Sequence, residues 1–101
     1  MIGREFRFHN GKKGAALAIR VEGGKKNSHF KKVLQDGTVV ISLKKNQQDP
    51  NKDLIQFLSG KLGIAQNKLE IIAGKDGTEK LLSVLDVTPA RIQQLILEVI
   101  A

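Results

Sequence analysis

From Asp49 onward the chain switches between helical and strand periodicity, and each switch falls on a residue that enforces it. Asp49-Pro50 opens a segment in which Leu54, Phe57, Leu58 and Leu62 recur at helical spacing. An aspartate ahead of a helix accepts orphan N–H groups of the first turn, and proline at the next position loses no hydrogen bond. Gly63 closes the segment, since glycine adopts the left-handed conformation that ends many helices, and Ile64 beyond it can fold back onto the last turn. Leu69 to Ala73 and Lys80 to Val87 are rich in strand-forming residues and flank Gly74-Lys75-Asp76-Gly77, a tight-turn signal. Thr88-Pro89 repeats the start signal for a second helix. Ile92, Leu95, Ile96 and Val99 form its apolar stripe, with Arg91, Gln93, Gln94 and Glu98 opposite. The pattern predicts helices over 50–62 and 89–100 around a β-hairpin. Gly60, inside the first helix, predicts a close approach to the sheet.

The first half reads as strands. Arg4 to His9 alternates, with Phe6 and Phe8 on one face, and Asn10-Gly11 is a hairpin turn signal. Ala15 to Glu22 places Leu17, Ile19 and Val21 on one face. Gly23 to Ser28 reads as a loop, His29 to Gln35 as a short strand, and Asp36-Gly37 as a second turn. Thr38 to Leu43 is a strand with Val39, Ile41 and Leu43 together, and Lys44 to Gln48 is polar and irregular. Taken as a meander, these strands join the hairpin in one sheet. Helices that are apolar on one stripe must bury that stripe against a sheet face. The expected fold is therefore α+β: a two-layer sandwich, a mixed sheet of about five or six strands with two helices on one face. The opposite face is then partly solvated, with Arg20, Glu22, Thr38, Ser42, Glu70 and Ser83 as its expected residents.

At 101 residues the chain is expected to be one domain over 1–101, with 1–14 as an edge strand or less ordered extension. It has no cysteine, which excludes disulfides and thiolate metal sites. No apolar run approaches the roughly 20 residues of a membrane span, and Met1 to Glu5 lacks the apolar stretch of a signal peptide. A monomeric cytoplasmic protein without membrane attachment is expected. The net charge of +7 is uneven: residues 1–50 hold eleven Lys/Arg and four Asp/Glu, and residues 51–101 hold six of each. Such an excess either solubilises the surface or forms an electrostatic footprint for a polyanion.

The run Asn51-Lys52-Asp53-Leu54-Ile55-Gln56-Phe57-Leu58, then Leu62-Gly63, Leu69-Glu70-Ile71-Ile72-Ala73-Gly74, Lys80 and Val87-Thr88-Pro89, resembles the YggU-like family of small uncharacterised proteins. Weaker similarity reaches back to Ile19-Arg20-Val21-Glu22 and Gly24-Lys25-Lys26, so the likeness covers about residues 15–97. The family's Gly-Lys-Ala-Asn ahead of the helix stands here as Gln48-Asp49-Pro50-Asn51, which keeps only the asparagine. The family's Pro-Gly is Gly23-Gly24, and its Ser-Arg before the late lysine is Gly77-Thr78. The resemblance implies a mixed sheet with two helices on one side and implies no biochemical activity.

Counting strand directions brings four segments to one end of the sheet: the loop after Val21, the residues after Leu43, the start of the first helix, and the 74–77 turn. That end gathers Gly24, Lys25, Lys26, Lys44, Lys45, Asn51, Lys52, Lys75 and Gly77, with Lys80 just below. Ammonium groups, glycine N–H groups and a helix N-terminus favour anions, while Asp49 and Asp76 oppose them. Enzyme signatures are missing. Gly74 to Thr78 lacks P-loop spacing, His9 and His29 have no partner at metal-ligand spacing, and Ser28 and His29, as strand neighbours, face apart. Phe6-Arg7-Phe8 is a thin aromatic supply for base stacking. The expected function is a non-enzymatic binding module for RNA or another phosphate-bearing partner at this basic end, with no catalytic residue, metal or cofactor. The alternatives are a protein-interaction module that uses an exposed sheet face or edge, and an enzyme on a small anionic ligand.

Overall fold

The computed structural model of the chain describes residues 2–7, 12–24, 27–44 and 49–100. The elements in order are β1 (Arg4–Arg7), β2 (Lys13–Gly24), β3 (His29–Val33), β4 (Val39–Lys44), α1 (Pro50–Leu62), a 3-10 turn (Gln66–Lys68), β5 (Leu69–Ala73), β6 (Glu79–Leu85) and α2 (Pro89–Ile100). Six strands form one mixed sheet in the order β3-β4-β2-β6-β5, with β1 paired antiparallel to the first half of β2. The fold is α+β, and its radius of gyration of 12.6 Å matches the roughly 13 Å of a compact domain of about 100 residues.

Both helices start, and α1 stops, where their punctuation requires. The Asp49 side chain accepts from Lys52 N, Pro50 sits at the first helical position, and Gly63 ends α1 at φ 68° with its N–H on the Ser59 carbonyl. Ile64 is buried just beyond, and its carbonyl accepts from Ser59 Oγ at 2.6 Å. Thr88 Oγ1 accepts from Arg91 N at 3.1 Å and caps α2.

One face of the sheet carries the core. Ile19 lies opposite Val39, Leu17 opposite Leu82 and Ala15 opposite Val84. These side chains meet Leu54, Leu58 and Leu62 of α1 and Ile92 and Ile96 of α2 in one apolar cluster, so both helices cover the same face. Full burial of each such leucine or isoleucine contributes about 1.5–3 kcal/mol.

Several expectations change. β4 lies between β2 and β3 and runs parallel to β2, so the strands are not a meander in spatial order. The direction of each strand is unaffected by this reordering. Gly23 and Gly24 are the last residues of β2, since they pair with Leu43 and Lys44, and Lys44 ends β4 instead of opening an irregular segment. A Cβ on Gly60 would meet nothing within 4 Å, so this glycine faces open space and makes no close approach to the sheet. Val99 is exposed, and Ile100 packs on the core in its place, because the buried ridge of α2 follows the four-residue step 92, 96, 100. Phe57 and Leu95 are half-buried at the core margin, where the Phe57 ring lies 5.2 Å from that of Phe30.

On the opposite sheet face, Arg20 and Glu70 are exposed and Glu22 is half-buried, but Thr38, Ser42 and Ser83 are buried. Cross-strand partners flank two of them. Ser83 lies between Ala16 and Glu70, and Ser42 between Glu22 and His29. Val40, on the same face, is flanked by Arg20 and Lys32, whose aliphatic stems can lie over it. Arg20 pairs with Glu79 at 2.6 Å and Lys31 with Glu22 at 2.6 Å. Phe8, His9, Asn10 and Gly11 lie outside the described residues.

Candidate basic end of the sheet

Pairing brings the predicted segments to one end. Gly24 and Lys44 are partners at the ends of parallel strands β2 and β4. Antiparallel pairing of β6 with β2 and of β5 with β6 carries the 74–77 turn to the same end. Val21 N donates to the Thr78 carbonyl at 2.8 Å and ties that turn to β2. Asn51 Nδ2 donates to the Lys75 carbonyl at 3.0 Å and ties it to the start of α1. Lys25, Lys26 and Lys45 lie outside the described residues.

The candidates divide into two kinds. Lys44, Lys52 and Lys75 are exposed and form no ion pair among the described residues. Gly77 is also exposed, and its N–H donates to the Gly74 carbonyl at 3.2 Å. Lys80 differs, being 7% exposed. It pairs with Ile19 and therefore points to the core face, and its Nζ donates to the carbonyls of Lys75 at 2.9 Å and Gly74 at 3.2 Å. Burial pushes its ammonium below the usual lysine range, and nearby Asp76 partly offsets this. Asn51 is half-buried, and its Oδ1 has no hydrogen-bond partner among the described residues.

The acids at this end are also placed. The Asp49 carboxylate is engaged on Lys52 N, so one N–H of the α1 first turn is already capped. Asp76 is exposed on the turn. Beside the turn, a groove of about 560 Å³ runs between α1 and β5. Ile55, Leu69 and Ile71 supply its apolar lining, and Asn51, Lys52 and Lys75 stand among its polar residues.

Sequence reasoning missed Ser28 and Thr78. Ser28 Oγ accepts from Lys44 N at 2.8 Å and fixes the end of β4, and the Thr78 carbonyl receives Val21. Neither has a local signal, because both act through partners distant in sequence. His29 Nδ1 lies 3.2 Å from the Asn27 carbonyl and not on Ser28. Among the described residues no group of three His, Cys, Asp or Glu side chains is arranged to hold a metal ion, and no helix is long and apolar enough to cross a membrane. The chain matches no protein-family model and no curated protein.

Proposed function

We propose that this protein is a non-enzymatic binding module that takes RNA or another phosphate-bearing partner at the basic end. The observation that carries the reading is the convergence of exposed cations at one end. Arg20, Lys31 and Lys68 are held by Glu79, Glu22 and Asp86, whereas Lys44, Lys52 and Lys75 share one end without a carboxylate partner among the described residues. Unpaired ammonium groups beside a helix N-terminus attract phosphate and release condensed counterions when it binds. Kinship with the YggU-like family belongs to the same proposal and adds no activity to it.

The test is titration of a single-stranded RNA oligonucleotide across salt concentrations. Wild-type affinity should fall linearly on a log–log plot, by about 0.7 per phosphate neutralised. Reversing Lys44 and Lys75 to glutamate should weaken binding strongly while stability moves by only about 0.5 kcal/mol, as is usual for surface changes. Equal binding by the double variant, or no wild-type binding at low salt, would sink the reading. The groove along β5 favours one second reading, a protein-interaction module using that sheet edge. Its signature is capture of a protein partner with weak salt dependence, since apolar burial is not screened.

A further inference from the structure

Resting on the reading above, we infer that Lys80 is a positioning residue of the basic end and not a phosphate ligand. Two of its three possible hydrogen bonds go to consecutive carbonyls, those of Gly74 and Lys75. The Lys75 carbonyl also receives Asn51 Nδ2, so one peptide oxygen joins β6, the turn and α1. Lys80 reaches these oxygens from the core side, where it stands opposite buried Ile19.

The consequence follows from peptide planarity. The described residues contain no cis peptide bond, and in a trans peptide the C=O and the following N–H point in opposite directions. Carbonyls of Gly74 and Lys75 drawn inward leave the N–H groups of Lys75 and Asp76 facing outward. The turn residues there are exposed. Successive outward N–H groups form an anion-binding concavity, and a cation on the far side of each peptide strengthens its donor. Lys80 thus presents the turn to a phosphate that Lys75 and Lys52 would contact directly. Gly74 completes the geometry: its φ is 76°, and a Cβ there would collide with the Glu79 carbonyl oxygen.

The experiment compares Lys80→Met, which keeps the aliphatic stem and removes the donors, with Lys75→Ala. Amide hydrogen exchange over residues 74–78 reads the clamp, and salt titration with the RNA oligonucleotide reads the site. Lys80→Met should speed exchange of the Gly77 amide roughly tenfold or more, the scale of losing hydrogen bonds to a charged group. Exchange of the β2 and β6 core amides reports whether the variant still folds. Its RNA affinity should fall with the salt slope unchanged, whereas Lys75→Ala should lower the slope by about 0.7. A slope change in Lys80→Met equal to that in Lys75→Ala would make Lys80 a direct phosphate contact and overturn the inference. Unchanged exchange of the turn would overturn it as well. If the wild type binds no RNA at low salt, the proposed function fails, and exchange alone decides the clamp.

Discussion

Single residues are decided by what surrounds them and not by their type. Lys80 and Gly60 show this in opposite directions. Lysine is almost never fully buried unless paired, yet Lys80 is buried because two backbone carbonyls replace its water. Its folded pKa is pushed down by burial, so the unfolded chain holds this proton more tightly. The residue therefore detracts from stability at neutral pH, and that cost fades as pH rises toward its ordinary value of 10.5. Gly60 is a helix-interior glycine whose side-chain position is empty. Gly60→Ala should stabilise the protein by about 0.5–1 kcal/mol, because alanine fits the helix and restricts the unfolded chain. Urea denaturation would show this as a higher midpoint at constant slope, and a lower midpoint would mean that the helix surface is not free there.

At the scale of elements, caps fix where the helices lie and the sheet fixes which of their residues count. Leu58 and Ile96 are fully buried in the shared cluster. Leu58→Ala and Ile96→Ala should each cost about 2–5 kcal/mol. Phe57 and Leu95 sit at the margin, so their truncation should cost less than that of the buried pair, and Val99→Ala should be near neutral. Chemical denaturation of the five variants orders them, and a Val99 effect as large as that of Ile96 would contradict the packing of α2. The strands at the two ends of the β3-β4-β2-β6-β5 order carry register irregularities, between Phe30 and Lys32 in β3 and between Ile71 and Ala73 in β5. Bulges of this kind discourage pairing with a further strand.

For the whole molecule, acid should act before base. Lys31 lowers the pKa of Glu22, the Thr38 hydrogen bonds lower that of Asp36, and Lys68 lowers that of Asp86. A depressed carboxylate pKa contributes stability that is present above its ordinary value and lost as pH falls through the folded one. The ordinary values are 4.5 for Glu22 and 3.8 for Asp36 and Asp86, so the loss belongs below about pH 4.5. A denaturation series from pH 6 to pH 2 should therefore turn downward there, and Asp36→Asn should flatten part of the fall. A flat profile through that range would remove these contacts from the account of stability. Asp36 and Asp86 are exposed and Glu22 is only half-buried, so added salt should shrink the effect of the two ion pairs more than that of the Asp36 hydrogen bonds.

Local events are legible in the order of residues. Asp49-Pro50, Gly63 and Thr88-Pro89 set the helix ends, and alternation set the strand faces, because each depends on neighbours within a few residues. Strand directions were legible too, since each turn reverses the chain, and with them the meeting of Gly24, Lys44, Asn51 and the 74–77 turn at one end. The order of strands was not legible. Whether β4 or β3 lies beside β2 depends on pairing across distant sequence, and alternation is the same in either arrangement. Nor was the inward turn of Lys80, or the burial of Ser83 and Val40, since burial depends on which strands and side chains lie alongside. Tertiary structure decided these because pairing and shielding are set by partners that the chain meets only after it folds.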